Sequence, residues 1–395
     1  MKSDFLKYQA QTSSHPLALE ISKAQGCYIY DTHGKKYLDF IAGVSANSLG
    51  HDHPVVKKAM LDQLEKYTHV MVYGEFIQKP QVELCKALVK TIPEPLDSVY
   101  LVNSGTEATE GALKLAKRVT QRHEIISAKN AYHGNTQGAM SVCGVEEQNR
   151  AFRPLLPHVK FIEFNNHSDI RKISSRTAAV ILETIQGGAG IIEPQNKFLK
   201  VVKKRCDEVG ALLILDEIQT GIGRTGTFWG FQNYEVIPDI IISGKGLGGG
   251  MPIGAFISSS SMMKTLSHHP KLGHITTFGG HPVIAASALA TITEIQKNDL
   301  MSSTIEKERL FRKVLQHQLI KEIRGKGLML AMIVESAELA SNIILKSLEK
   351  GLLLFWLLYE ERAIRITPPL TISTKEIEEG CTIILSILDD IVKNS

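Results

Sequence analysis

Between about residues 98 and 258, short apolar bursts alternate with stretches of helical period: SVYLV before EATEGALKLAKRV, AAVILE before KFLKVVKKRCDEV, and ALLILDE before PDIIIS and IGAFIS. Repeated strand and helix predict a mostly parallel sheet, because parallel neighbours need crossovers and the crossover helices cover its faces. The bursts are rich in β-branched residues and do not alternate with polar ones, as expected of strands buried on both sides. Ligands of such sheets collect at the carboxyl ends of the strands.

The flanks carry other periods. GCYIYDTHGKKYLDF predicts a hairpin turning at His33 and Gly34, and VVKKAMLDQLEKY an amphipathic helix. PVIAASALATITEIQK predicts a helix with Pro282 in its first turn. Beyond it come helical segments around 303–320 and 337–350, strand bursts KGLMLAMIV and AIRI, and a last helix with Ile377, Cys381, Ile384, Leu388 and Ile391 on one face. The apolar run LLLFWLL reads as core. Neither an internal repeat nor a low-complexity tract interrupts the pattern.

Composition narrows the classes. The 395 residues are 43% hydrophobic and carry 45 Lys+Arg against 41 Asp+Glu, a net +4, which excludes a largely disordered chain and a small disulfide scaffold. No long basic run offers a track for nucleic acid. Cys27, Cys85, Cys143, Cys206 and Cys381 are scattered and form no Cys-x-x-Cys pair, which suits a reducing compartment. The opening MKSDFLKYQA lacks the apolar core of a secretion signal, and the longest apolar run, 351–359, falls short of the roughly 20 residues of a bilayer span. A cytoplasmic protein without membrane or nucleic-acid partners is expected.

Four places carry candidate chemistry. Asn103-Ser104-Gly105-Thr106 joins a strand to a helix, so free amides face the strand's carboxyl end, either as a phosphate cradle or as an ordinary capped turn. Asp216 and Glu217 end an apolar strand, which puts a carboxylate where it needs a cationic partner. Strand-end Asp-Glu also holds Mg²⁺ in P-loop nucleotide hydrolases, but the chain has no G-x-x-x-x-G-K-[ST]. Gly221-Ile-Gly223-Arg-Thr-Gly226 satisfies G-x-G-x-x-G, yet no helical period follows, and the acidic pair precedes the glycines instead of lying about 20 residues beyond them. Lys245 follows an apolar strand inside a glycine run, as a phosphate contact, a solvated loop residue or a buried amine. An ordinary amine pKa of about 10.4 leaves roughly one lysine in a few thousand neutral at pH 7, so covalent work requires burial or a positive neighbour. His51 and His53 suggest no third ligand, and no metal is assigned.

A phosphate-binding helix start, a strand-end Asp and a Lys 29 residues later (245 − 216) are together suited to pyridoxal phosphate chemistry. The chain resembles the class III aminotransferases of ornithine/acetylornithine type over nearly its whole length, through GKKYLDF, GHDHP, NSGTEATEGALKLAK, YHG, LLILDEIQTGIGRTG, SGKGLGGGMPIGAF, TTFGGHP, IRGKGLM and IRITPPL. The resemblance implies an α/β protein of fold type I among pyridoxal phosphate-dependent transferases. A large mostly parallel-sheet domain (51–290) would be joined by a smaller α+β domain built from both chain ends (1–50 and 291–395).

The same resemblance assigns roles. Lys245 would form the Schiff base and shuttle the proton, and Asp216 would pair with the pyridinium nitrogen. Ser104, Gly105 and Thr106 would cradle the phosphate, Tyr132 would stack on the ring, and Gln219 would lie near the phenolic oxygen. Glu183 matches an active-site acid. Thr277 would reach the phosphate of a neighbouring subunit, which implies a homodimer with its sites at the interface. Arg365 would clamp the α-carboxylate.

Three departures concern the donor. The family often reads E-P-x-Q-G-E where this chain has Glu183-Thr-Ile-Gln186-Gly187-Gly188, so the acid that would pair with Arg365 is absent. Asn135 replaces an arginine, and Val44 stands where the ornithine branch has tyrosine. These positions point away from ornithine and acetylornithine and leave Arg365 open to carboxylates. The expected activity is transfer of an amino group from an amino acid (acetylornithine-, ornithine- or 4-aminobutyrate-like, or another) to 2-oxoglutarate by ping-pong exchange. An aminomutase or racemase could use the same Lys245 and Asp216. An Mg²⁺-nucleotide hydrolase and a non-catalytic scaffold are the distant alternatives.

Overall fold

The computed structural model describes residues 1–394. Its centre is a seven-stranded sheet in the order Ser98–Val102, Gly254–Ser258, Ile240–Ser243, Leu212–Asp216, Thr177–Glu183, Glu124–Ala128, Val159–Ile162. The five inner strands are buried throughout, which accounts for their unbroken apolar runs. Gly254–Ser258 is antiparallel to both neighbours. Its connection explains this: residues 244–253 are too few for the dozen or more that a parallel crossover takes.

The helix Gly105–Thr120 begins where Ser104 accepts a hydrogen bond from Glu107 N at 3.3 Å and ends at Gln121 in the left-handed region. Ala108, Ala112 and Ala116 are fully buried on its sheet-facing side. Gly111 lets it approach closely, since a Cβ there would lie 2.3 Å from the Phe256 ring.

Two smaller sheets flank the large one. In the first, Ile21–Gln25, Tyr28–Asp31 and Lys36–Asp39 form an antiparallel meander, and Leu352–Leu353 adds alongside Lys36–Asp39 in parallel. Chain segments more than 300 residues apart are thereby joined by Leu38 N donating to Gly351 O at 2.8 Å and Phe40 N to Leu353 O at 3.1 Å. The second sheet is antiparallel, in the order Glu322–Lys326, Met329–Ile333, Ala363–Ile366, Phe355–Trp356. The last helix, Thr374–Lys393, buries Ile377, Cys381, Ile384 and Leu388, and Gly380 makes room for the Phe40 ring.

The helix expected over 303–320 runs Leu300–Val314 instead. Side chains take the backbone groups that a further turn would use: Gln316 Nε2 donates to Arg312 O at 2.6 Å, and His317 Nδ1 accepts from Leu319 N at 3.2 Å. His51 is paired with Asp39 at 2.8 Å. Among the described residues no helix is long and apolar enough to cross a membrane.

Candidate active site

The carboxyl edge of the large sheet gathers the polar residues. Glu183 and Asp216 are register partners at the ends of adjacent parallel strands. Lys245 follows the next strand after Gly244, opening a tight turn with its own φ at +40°. The helix start at Gly105 approaches from the far side, where a Cβ on Gly244 would lie 3.4 Å from the Gly105 backbone.

These elements enclose a cavity of about 470 Å³. Lys245, Asp216, Glu183, Gln219, Thr106 and Arg365 line it, and Gly105, Tyr132, Asn135, Val44 and Gly188 complete the set that the sequence placed there. Two expected residues do not line it. The Ser104 hydroxyl is occupied with capping its helix, and Thr277 is exposed on the 272–280 loop.

Asp216 is held at both oxygens: Oδ2 lies 2.7 Å from His133 Nδ1, and Oδ1 accepts from Ile218 N at 2.9 Å. His133 is itself fixed, with Thr109 Oγ1 donating to its carbonyl at 2.9 Å and its own N–H directed to Cys143 Sγ at 3.2 Å. Its Nε2 is buried and has no partner among the described residues. Sequence reasoning quoted Tyr-His-Gly but gave His133 no role.

Lys245 keeps some surface toward the cavity, yet protein packs closely enough around it that desolvation draws its amine pKa down. Arg365 adds to this, while Asp216 and Glu183 oppose it. Glu183 accepts from Gly187 N at 2.7 Å and from Tyr132 N at 3.1 Å, and burial pushes its carboxyl up to about 7.

The cradle at the helix start depends on small residues. A Cβ at Gly105 would come within 2.6 Å of Ile218, and one at Gly134, whose φ is +124°, within 2.3 Å of Thr106 Oγ1. Thr106 and Thr136 hydroxyls meet at 2.8 Å, so both side chains are oriented before any ligand arrives. Asn103 Nδ2 donates to Glu107 and, at 3.0 Å, to Thr276 Oγ1, which ties the loop carrying Thr277 to this corner.

Opposite stands Arg365, 5% exposed, with Nε and Nη1 lacking any partner among the described residues. Burial lowers its pKa to about 10, which leaves it charged at neutral pH. A Cβ on Gly188 would lie 3.1 Å from the Tyr359 ring, so tyrosine fills the space a side chain there would need. The run LLLFWLL is core only in part: Leu352, Leu353, Leu354 and Leu357 are buried, whereas Phe355, Trp356 and Leu358 line the cavity.

The profile of the family Aminotransferase class-III matches residues 8–388. The chain belongs to the class III aminotransferases. It is 39% identical to the acetylornithine aminotransferase of Caldanaerobacter subterraneus subsp. tengcongensis, over 98% of this chain and 97% of that one. It is 36% identical to the (LysW)-aminoadipate semialdehyde/glutamate semialdehyde transaminase of Sulfolobus acidocaldarius, over 93% and 94%. The crystal structure of the ornithine aminotransferase from Toxoplasma gondii superposes with a TM-score of 0.92 at 31% identity, covering 100% of this chain and 96% of that one. The chain is therefore a transaminase, acting on amino and keto acids, and its family makes pyridoxal phosphate the cofactor.

The residues present fit that group. The buried, unpartnered Arg365 nitrogens, the desolvated amine and the glycine-lined helix start all belong to residues bordering one cavity, where a ligand with an anionic end and a carboxylate-bearing companion would satisfy them.

Glu217, fully buried beside Asp216, points away from this chemistry. It accepts from the Thr184 and Thr220 hydroxyls at 2.6 and 2.8 Å and from Gly230 N and Phe231 N at 2.7 and 2.8 Å, and burial raises its carboxyl to about 7. Glu217→Gln turns an amide N–H₂ on one of these donors and is expected to destabilise the fold by about 1–3 kcal/mol. Because the folded pKa exceeds the unfolded one, the native protein binds the extra proton between about 4.5 and 7 and loses stability as pH rises through that window. Gln has no such proton. Its deficit relative to wild type is thus largest at low pH and shrinks toward pH 8, which denaturant melts across pH would show.

Proposed function

We propose that the enzyme moves an amino group from an amino-acid donor to 2-oxoglutarate, the two half-reactions sharing one site in ping-pong order. The observation that carries this reading is Arg365: a buried guanidinium with free donors, in the cavity that holds Lys245. A planar fork left unpaired in low dielectric is a carboxylate receptor. No acid reaches it from position 188, where Gly188 packs on Tyr359, so it serves donor and acceptor alike.

Bound pyridoxal phosphate supplies an electron sink for the bond broken at the donor's amine-bearing carbon. The chain does the rest. Gly105, Thr106 and the amides of the helix start would hold the phosphate, with Thr277 reaching that of a neighbouring subunit. Tyr132 would cover one face of the ring, and Gln219 and Glu183 would flank it. Lys245 Nζ would hold the cofactor covalently and, once released by the incoming amine, take a proton from the substrate carbon. Asp216, steadied by His133, would keep the ring nitrogen protonated. Asn135, exposed at the rim, offers an amide to the acceptor's distal carboxylate.

A homodimer suits the same site. Ile77 is 96% exposed, and Phe76 and Phe278 also present apolar surface near the cradle's outer side. A cytoplasmic setting suits five cysteines that are all unpaired thiols.

The names of the relatives favour acetylornithine, but Asn135, Val44 and Gly188 do not. Arg365→Ala tests the reading. Loss of a charge-assisted pair is worth about 1.5–3 kcal/mol, so kcat/KM for 2-oxoglutarate and for the donor should each fall about tenfold to over a hundredfold, mainly through KM. An unchanged KM for both would refute the reading, and turnover without net nitrogen transfer would point instead to a mutase or racemase.

A further inference from the structure

The strand Phe355–Trp356 pairs antiparallel with Ala363–Ile366 in a register that sets Phe355 directly opposite Arg365. Facing residues of an antiparallel pair leave the sheet on the same side, with Cβ atoms about 4.5–5.5 Å apart. Phe355 and Arg365 therefore leave the strand pair on the same side, and both line the cavity. Trp356, the next residue, also borders the cavity, and its Nε1 donates to Ser341 Oγ at 3.0 Å.

Phe355 is 39% exposed and Leu358 is 51% exposed in the single chain, so both present apolar surface at the mouth of the cavity. Ile185 and Val44 add carbon to the same wall. Of the charged groups in the lining, Lys245 serves the reacting carbon, Asp216 and Glu183 lie on the cofactor's side of the cavity, and Arg365 takes one carboxylate, while Asn135 at the rim is left for the acceptor's distal carboxylate. Along the wall of Phe355, Leu358, Ile185 and Val44, a charge on the donor's side chain would lose its hydration without an ionic partner.

We infer that the donor is a monocarboxylic amino acid with an apolar side chain, and that Phe355 is the residue selecting it. The inference rests on the aminotransferase reading above. The carboxylate lies on Arg365, the amine at Lys245, and the side chain against Phe355 and Leu358.

Steady-state kinetics of the holoenzyme with 2-oxoglutarate and a panel of leucine, phenylalanine, ornithine and N-acetylornithine test it, with glutamate assayed in reverse against the matching 2-oxo acids. Wild-type kcat/KM for leucine or phenylalanine is expected to exceed that for ornithine at least about tenfold, the discrimination that a few methylenes of apolar contact supply. In Phe355→Ala the ratio of apolar-donor to glutamate kcat/KM should fall about tenfold or more.

Ornithine or N-acetylornithine equal to or better than the apolar donors in the wild type would overturn the inference, as would a Phe355→Ala variant that slows every donor in the same proportion. The wild-type comparison decides even where a variant fails to fold. If glutamate also fails to donate nitrogen, the aminotransferase reading of the site falls and this inference with it. If glutamate donates and the apolar amino acids do not, the inference alone falls.

Discussion

Lys245→Ala is expected to lower turnover by at least about four decades, the upper end of what a positioned proton carrier contributes, since the same amine also serves as the covalent attachment point. Among the described residues, Lys245 is the one primary amine lining the cavity. Its surroundings favour the neutral form by desolvation and by Arg365, yet Asp216 and Glu183 keep the shift in check. Such a balance suits a group that must be neutral to attack and protonated to donate. Borohydride reduction of the holoenzyme followed by peptide mass analysis should place the adduct at position 245 in the wild type and nowhere in the variant. Partial recovery of the alanine variant by a small amine in solution would separate lost chemistry from lost structure. A variant that retained wild-type turnover would remove Lys245 from the mechanism.

Most of what places this amine could be read locally. Lys245, Asp216 and Glu183 each lie at or just beyond the end of an apolar burst, and Gly105 and Thr106 open a helix directly after one. In a parallel sheet all such positions fall on a single edge. The order of the strands was not legible in the same way, because pairing is non-local. The reversed direction of Gly254–Ser258 left a clue in the ten residues before it, too few to cross over.

The contacts that tune the site were less visible. His133 meets Asp216 across 83 residues of sequence, from a segment with no period to mark it. Gly188 meets Tyr359 across 171 positions (359 − 188), so a missing acid could be noticed but not the ring that fills its place. Phe355 was hidden in the opposite manner. An apolar run without a polar marker reads as core, and only the two-residue strand Phe355–Trp356, paired with Ala363–Ile366, opens part of it to the cavity. Thr277 lies outside the cavity of this chain.

Asp216→Asn should cost about three decades in kcat. A carboxylate about 4 Å from a protonated ring nitrogen, at an effective dielectric near 20, is worth roughly 4 kcal/mol, and the amide forfeits nearly all of it. The substitution is close to isosteric, so little else should change. Oδ1 can still accept from Ile218 N, now at 2.9 Å, and the amide nitrogen then faces His133 Nδ1, now at 2.7 Å from Oδ2. That nitrogen must turn from donor to acceptor, which moves the imidazole proton to Nε2, the atom that is buried without a partner and faces the same interior. His133→Asn should therefore lower kcat by far less than Asp216→Asn, and the two together by little more than Asp216→Asn alone, because His133 acts through the carboxylate it steadies. KM for the carboxylate substrates, set at Arg365, should stay nearly constant across the series. Additive losses in the double variant would show instead that His133 contributes independently, and an Asp216→Asn enzyme with near-normal kcat would remove the charge at the strand end from the source of the rate.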